Sequence, residues 1–384
     1  MYKVISAETL SPHFPADLPA LLLYERPAAA ATVTVLAVGD IGFSGRIRQA
    51  DSHHTVLQAV QPYLQSGDIV FGNLESPLVN EEGLFAALPD AAAALRNAGF
   101  TLINLANNHI YDYGPDGLSS SAESLEQQGI DVLGVSVAAN HGIQQPKIYQ
   151  IEDVSIGWLS FGRTLQPQTE GSLKYWEYAV DCIKQSVTNA QKTCDNLIVS
   201  IHAGLMLLDH PDPTFRELAH EIRALGATLV LFHHAHVLQG IEVNSQGQII
   251  CHCLGNFLWD YQEGFMPALF NLNAQQEGAV YLFEFDHKGI CKAAILPTYL
   301  DEALHVNWAV AECGDQIVKR LCKLSQALMQ GNTIPYWTQR IGFNLSFTTR
   351  LFGFHLRNRN WPMLIQLNKN LLKGIRRLVS GSKG

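Results

Sequence analysis

Short apolar runs recur along the chain, and several of them end directly in a cluster of polar residues. The runs have the length of strands and the continuous apolar character of strands that are buried on both faces. They cover residues 33–38, 68–71, 101–105, 131–135, 197–201 and 228–232. Segments with helical patterns lie between them, at residues 51–65, 90–98, 116–128, 174–192 and 212–225. This alternation of strand and helix predicts an α/β protein.

The later part of the chain is richer in strands than in helices. Residues 147–152 and 155–161 are two neighbouring β segments, which predict a hairpin. Residues 241–243, 249–254 and 280–285 predict a meander. Because crossover units and hairpins occur in the same chain, we expect mixed sheets. Two such sheets packed face to face, with helices outside, would bury the apolar faces of both parts.

The ends of the chain differ from its centre. Residues 1–31 predict an irregular leader, residues 32–300 the main domain, and residues 301–384 a basic, partly amphipathic helical region. Within the last region, residues 316–329 have helical spacing and residues 361–379 predict an amphipathic basic helix. Such a helix would lie on an anionic membrane surface, or it would pack on the acidic body of the same chain. Both alternatives stay open.

The composition is that of a globular soluble protein, with 47% hydrophobic and 16% charged residues. The net charge of −9 is unevenly distributed, because residues 316–384 contain twelve Lys or Arg and no Asp or Glu. No run approaches the roughly 18 apolar residues of a membrane span, and the first residues lack the features of a secretion signal. We therefore expect a cytoplasmic protein, with peripheral attachment at the inner membrane face through the basic C-terminus as a further option. No nucleic-acid-binding module is recognisable, so nucleic acid is not an expected partner.

The polar clusters that follow the apolar runs carry the main functional signal. The central cluster, LANNHIYDYG at residues 105–114, would by itself fit a hydrogen-bonded polar turn. Similar sets of acids, amides and imidazoles follow other runs, however. They are Asp40; Asn73 and Glu75; Asn107, Asn108, His109 and Asp112; His202; and His233, His234 and His236. Such oxygen and imidazole donors form Mn, Fe, Zn or Mg sites, and no cysteine joins them, so we expect one or two divalent ions per chain at the strand ends.

The order of short motifs adds a specific resemblance. The motifs are GD (39–40), NLESP (73–77), ANNHIYDYG (106–114), HAG (202–204), HHAHVLQ (233–239) and LGNF (254–257). In this order they resemble the CapA family of poly-γ-glutamate capsule synthesis proteins, which belongs to the calcineurin-like metallophosphoesterase superfamily. The resemblance covers about residues 33–260. It implies a metallophosphatase-like, four-layer α/β/β/α sandwich of two mixed sheets, with a site at the strand ends.

The resemblance also implies roles for individual residues. The implied metal ligands are Asp40, Glu75, Asn108, His202, His234 and His236. Glu75 stands where a carboxylate normally bridges two ions, and His109 stands where an acid protonates the leaving group, oriented by Asp112. The residues assigned to substrate binding are Asn73, Asn107, His233 and Asn256.

The chain also departs from the superfamily pattern. Asp40-Ile41-Gly42 replaces the usual DxH motif, which removes one imidazole, and Glu75 replaces the usual bridging aspartate. Phe232 replaces the glycine before the HHxH motif, and the residues after His202 differ from those of CapA relatives. These differences leave open a site with one ion, a different bound group, or a chain that binds a polymer without cleaving it.

The resemblance implies a function in the biosynthesis of a capsule polymer such as poly-γ-glutamate. The enzyme hypothesis is metal-dependent hydrolysis or transfer at a phosphoryl or acyl centre. The alternative is a non-catalytic assembly or export factor that binds an anionic polymer. The expected partners are accordingly an anionic polymer or phosphoryl substrate and a polymer synthetase complex.

Overall fold

The computed structural model describes residues 2–342, apart from residues 12–13, 16, 30, 50–52, 137–142, 164–173, 176–178, 261–272, 332 and 335. The strands are β1 (Lys3–Ser6), β2 (Pro19–Glu25), β3 (Val33–Ile41), β4 (Ile69–Leu74), β5 (Leu102–Asn104), β6 (Asp131–Leu133), β7 (Val135–Ser136), β8 (Lys147–Ile151), β9 (Val154–Gly162), β10 (Lys174–Tyr175), β11 (Asn196–His202), β12 (Leu229–His233), β13 (Ile241–Val243), β14 (Ile249–Cys251), β15 (Asn256–Leu258), β16 (Glu277–Asp286), β17 (Gly289–Leu300) and β18 (Val306–Trp308). The α-helices are α1 (Gln61–Leu64), α2 (Ala91–Ala98), α3 (Gly114–Gln127), α4 (Val180–Ala190), α5 (Pro213–Ala224) and α6 (Ala311–Met329).

The strands form two large mixed sheets. The first has the order β1-β2-β17-β16-β3-β4-β5-β6, with β15 added beside β3 and β18 beside β17. Within it, β3 to β6 are parallel, while β16 runs antiparallel to β3. The second sheet has the order β13-β14-β12-β11-β9-β8, with β9, β11, β12 and β14 parallel.

The alternation of side chains along the strands builds a core on each face of each sheet. In β11, Ile198 packs between the two sheets, whereas Leu197 and Val199 pack outward against α4 and α5. The outer face of the first sheet packs against α1, α2 and α3. Since both faces of the parallel strands are covered, these strands are apolar throughout. The predicted four-layer α/β/β/α sandwich is confirmed, as is the hairpin, formed by β8 and β9.

The structure corrects the expectation for the start of the chain. The sequence predicts an irregular leader at residues 1–31, but β1 and β2 lie in this region and belong to the first sheet. β2 pairs with β17, far along the chain, and its apolar side chains Leu21 and Leu23 enter the core between the sheets. α6 packs against β2, β13 and β17, and its residues Ile317 and Leu321 join the same core.

Other elements also differ from expectation. Among the described residues of the helix expected at 51–65, only α1 is α-helical, because Pro62 has no backbone N–H and favours the first turn of a helix. In the described part of residues 174–192, only α4 is helical, and β10 pairs instead with β7. The meander is wrong, because β13 and β14 lie in the second sheet and β16 in the first. The basic helix expected at residues 361–379 lies outside the described residues.

The cysteines and the helices were also compared with the requirements of disulfides and of membrane spans. All seven cysteines are free thiols. Among the helices of the described residues, none combines the length and the apolar character that crossing a membrane requires.

Candidate metal centre

The polar clusters predicted from the sequence meet at one end of the sandwich. Asp40 lies near the end of β3, and Glu75 follows β4 directly. His202 and His233 are the last residues of β11 and β12 in the other sheet. Because neighbouring parallel strands place their carboxyl ends at the same edge, both sheets contribute side chains to a single region.

Asp40 is fully buried and lies among imidazoles. Its Oδ1 accepts a hydrogen bond from Asn73 Nδ2 at 2.8 Å and lies 3.3 Å from His233 Nδ1. Its Oδ2 lies 3.3 Å from His236 Nδ1 and accepts the backbone N–H of His234 at 3.2 Å. Burial alone would raise the pKa of Asp40, but the surrounding histidines outweigh burial and hold the pKa well below its usual range. The carboxylate is therefore ionised and suited to a cation.

Glu75 lies at the centre of the cluster and belongs to two groups of metal-ligand atoms. One group is Glu75, His202 and His234, the other is Asp40, Glu75 and His236, and the atoms of each group lie within 4.8 Å of one another. Glu75 is fully buried, yet neither of its oxygens accepts a hydrogen bond within the described part of the chain. Burial, offset in part by His236, raises its pKa to about 7. A buried carboxylate without hydrogen bonds is costly, and a cation would satisfy it, so these residues fit a divalent ion.

The group of Glu75, His202 and His234 has a further oxygen donor beside it, the side-chain amide of Asn108. His202 Nε2 lies 2.6 Å from Asn108 Oδ1, 3.1 Å from Glu75 Oε1 and 3.2 Å from His234 Nδ1. Burial holds the pKa values of His202 and His234 well below their usual range. Both rings are therefore neutral, which is the form of histidine that binds metal ions.

The turn after β12 places its histidines by means of unusual backbone angles. His234 has a φ of 88° and His236 a φ of 56°, in the left-handed region that residues other than glycine rarely adopt. Each such residue costs roughly 1–3 kcal/mol and is typical of functional sites. The chain therefore bends after His233, the last residue of β12, and His234 and His236 each belong to one of the two groups of candidate ligand atoms.

His109 lies at the accessible side of the centre, with its side chain 20% exposed. Its Nδ1 is 2.8 Å from Asp112 Oδ2, as the expected orienting role requires. Burial lowers the pKa of His109, but Asp112 and the more distant Glu75 carboxylate outweigh burial, and the pKa is raised. The ring of Phe85, a residue with a φ of 59°, covers the imidazole at a centroid distance of 4.0 Å.

The residues assigned to substrate binding are all buried, and three of them contact candidate metal ligands. Asn73 donates to Asp40, and Asn107 donates to the Leu74 carbonyl at 2.7 Å. His233 is fully buried, and Asn256 Oδ1 lies 2.9 Å from His236 Nδ1. This placement suits side chains that orient the ligands, and their contact with a substrate stays a prediction.

Sequence reasoning missed two supports of the centre. Asn104 donates to Asn73 Oδ1 at 2.7 Å and accepts from Ser160 Oγ at 2.5 Å, so it fixes the amide that contacts Asp40. An amide inside the apolar run at residues 101–105 was the available signal. Trp259 is 4% exposed and lies 5.0 Å from the His236 ring, and no sequence pattern marks it.

Trp259 also explains a departure noted in the sequence. A Cβ atom on Gly42 would lie 2.6 Å from Trp259 Cε3, too close for any side chain. The indole therefore fills the space beside Asp40 in which the usual imidazole of a DxH motif would start. The Asp40, Glu75 and His236 group consequently has three protein ligands, one fewer than the group beside Asn108.

A four-layer sandwich with carboxylates, imidazoles and an amide converging at its strand ends defines a metallophosphoesterase-like protein. Residues 34–261 match the family model described as bacterial capsule synthesis protein PGA_cap. Since this match covers more than half of the chain, the chain belongs to that family.

The two CapA relatives agree with this membership. The capsule biosynthesis protein CapA of Bacillus anthracis is 29% identical over 254 residues, which are 59% of this chain and 60% of that protein. The PGA biosynthesis protein CapA of Bacillus subtilis is 27% identical over 240 residues, 58% of this chain and 62% of that protein. The chain thus matches about three fifths of the length of these relatives. A 5'-nucleotidase structure from Candida albicans is 9% identical with a TM-score of 0.42, covering 80% of this chain and 60% of that one.

Proposed function

We propose that the chain is a metal-dependent hydrolase or transferase acting at a phosphoryl or acyl centre during the biosynthesis of a capsule polymer. The observation that carries the proposal is Glu75, a fully buried carboxylate without hydrogen bonds among the described residues and common to two ligand groups. A structural carboxylate in such a position would normally be hydrogen-bonded.

The donor set suits Mn, Fe, Zn or Mg, with one or two ions per chain. Asp40, Glu75 and His236 would hold one ion, and Glu75, Asn108, His202 and His234 the other. A divalent ion bound here supplies Lewis acidity toward a phosphoryl or acyl oxygen and lowers the pKa of water. The neutral state of His202 and His234 and the ionised state of Asp40 prepare these ligands for a cation.

His109 is the proton donor in this proposal. Asp112 fixes its Nδ1, so the imidazolium presents Nε2 to the reacting group. Water adds to phosphorus or to the acyl carbon and releases one of its protons to solvent, while the bond to the leaving group breaks and the proton on His109 Nε2 passes to the leaving atom. His109 then regains a proton from solvent. The raised pKa of His109 favours the protonated form of the ring, which is the form that donates.

The proposed substrate class follows from the names of the relatives. Two relatives are named for capsule biosynthesis and for PGA biosynthesis. We therefore propose an anionic polymer, or a phosphoryl precursor of one, as the substrate, and a polymer synthetase complex as the partner. The protein would work in the cytoplasm or at the inner face of the membrane.

A non-catalytic assembly or export factor is the second candidate. The contact between Trp259 and Gly42 favours it, because this contact leaves one ligand group with three protein donors. In that case the centre would bind an anionic polymer without cleaving it.

Metal analysis and turnover together test the proposal. We expect wild-type protein purified without chelator to contain one or two divalent ions per chain, and Glu75→Gln to lose them, while Glu126→Gln, an exposed control on α3, keeps them. His109→Ala should retain the metal and lose at least ~100-fold in turnover of generic phosphoesters or of poly-γ-glutamate. Metal without any turnover in the wild type would favour the binding factor. Absence of metal in the wild type would contradict the metal-dependent enzyme and leave the binding factor as the candidate.

A further inference from the structure

The segment that follows α6 exposes an unusual amount of apolar surface. Among the described residues, eight large hydrophobic side chains are exposed, and four of them fall within residues 329–341. They are Met329 (51%), Ile334 (72%), Trp337 (50%) and Ile341 (59%). We call these four the C-terminal stripe. Ile334, Trp337 and Ile341 are three and four positions apart in a helical stretch, so they share one face.

The opposite face of this stretch is attached to the body of the protein. Tyr336 is 2% exposed, and its hydroxyl donates to Asp212, the N-cap residue of α5. Arg340 Nη1 donates to Asp212 Oδ2 at 3.0 Å. Gln339 Nε2 donates to Asp209 Oδ2 at 2.8 Å, and Gln339 Oε1 accepts from the Asp209 backbone at 2.9 Å. These contacts fix the orientation of the stretch, and the C-terminal stripe points away from the body.

The charge of the chain identifies a suitable occupant. Residues 316–384 contain twelve Lys or Arg and no acidic residue, whereas all 35 Asp and Glu precede them. An anionic bilayer would attract the C-terminal part and repel the body, which brings the stripe to the surface first. A half-exposed tryptophan beside aliphatic side chains matches the interfacial zone of a bilayer. A symmetric dimer through this face would instead place two cationic regions together.

We propose that the C-terminal stripe is a docking surface for an anionic lipid bilayer. Asp209 and Asp212 lie on the segment that leads from His202 to α5, so the helical stretch that docks is attached close in sequence to the metal centre. Docking would hold the centre in one orientation relative to the bilayer. The docking does not depend on catalysis or on metal.

Vesicle co-sedimentation of the full-length protein tests this surface. The probes are vesicles of phosphatidylcholine with phosphatidylglycerol, and of phosphatidylcholine alone. The stripe variant is Trp337→Gln with Ile341→Gln, and the matched control is Val4→Gln with Ile148→Gln, two side chains that are 49% and 45% exposed elsewhere. We expect wild type and control to bind the anionic vesicles equally, and the stripe variant to bind them at least about tenfold more weakly with an unchanged melting temperature.

Three outcomes would overturn the proposal. The first is a wild-type protein that does not sediment with anionic vesicles. The second is equal binding by the stripe variant and the wild type, which would show that the basic residues alone account for binding to the vesicles. The third is a wild-type dimer in sedimentation velocity that the stripe variant loses, without lipid binding, which would make the stripe an interface between two copies.

Discussion

Trp259 determines how many protein ligands one half of the centre can offer. Its ring blocks every side chain at Gly42 and lies beside His236. The two candidate ligand groups could be predicted from the sequence, because acids, amides and histidines directly follow apolar runs. The indole could not, because it reaches Gly42 only through the pairing of β15 with β3, a contact between distant parts of the chain.

Restoring an imidazole at position 42 should strengthen ion binding. We expect Gly42→His combined with Trp259→Ala to bind the more weakly held ion at least about tenfold more tightly than Trp259→Ala alone, because a fourth protein ligand joins Asp40, Glu75 and His236. Isothermal titration calorimetry with Zn²⁺ or Mn²⁺ measures the affinity for each of the two ions. Trp259→Ala is the control for the loss of the indole, and equal affinities in the two variants would show that position 42 does not reach the ion.

At the scale of elements, β2 and α6 close one side of the sandwich. Pro19 opens β2 and contacts the first turn of α6, where a Cβ atom on Gly314 would lie 2.7 Å from Pro19 Cγ and 2.0 Å from the Ala309 carbonyl oxygen. The helical spacing of residues 316–329 predicted most of α6. The strand at residues 19–25 was missed because its partner, β17, is distant in the sequence. The pattern of residues within one segment does not predict which distant strand it pairs with.

Replacing a helical glycine by alanine usually stabilises a protein, but the close contact of Gly314 with Pro19 and Ala309 should make the replacement destabilising here. Helix propensity alone predicts that Gly314→Ala stabilises the fold by about 1 kcal/mol. We expect it to lower the free energy of unfolding by about 1–3 kcal/mol instead, because the added methyl group overlaps backbone atoms. Urea unfolding measures the change, with the exposed neighbour Cys313→Ala as control within about 0.5 kcal/mol of wild type. A more stable Gly314→Ala protein would refute the close packing.

At the scale of the whole molecule, Asp286 links three distant parts of the chain. Its carboxylate forms a two-point ion pair with Arg26, which follows β2, with both N–O distances at 2.7 Å. Its backbone carbonyl accepts from Asn196 in the second sheet at 2.8 Å. Arg26 and neighbouring backbone N–H groups hold the pKa of Asp286 well below its usual range. The architecture of two sheets could be predicted from the sequence, but this link could not, since neither Arg26 nor Asp286 stands out locally.

The lowered pKa of Asp286 makes the free energy of unfolding depend on pH. A depressed pKa in the folded state means that the ion pair stabilises the fold above the unfolded pKa of about 3.9, and that this contribution is lost as the pH falls toward the folded pKa. We expect Asp286→Asn to lower the free energy of unfolding at pH 7 by about 2 kcal/mol. The difference from wild type should shrink below about pH 4. Denaturant unfolding at several pH values measures it, with exposed Asp153→Asn as control; a difference independent of pH would contradict the ionic origin.

The candidate ligands of the centre come from both sheets: Asp40 and Glu75 from the first, and His202, His234 and His236 from the second. An ion bound between them would hold the two sheets together, because the sheets could separate only if the ion were released. Ions that bind the folded state alone add about 2.7 kcal/mol of stability at a concentration of about 100 times Kd. In a cell, the lifetime of the protein against proteases would then follow the supply of the ion, and metal starvation would remove the protein as well as its activity.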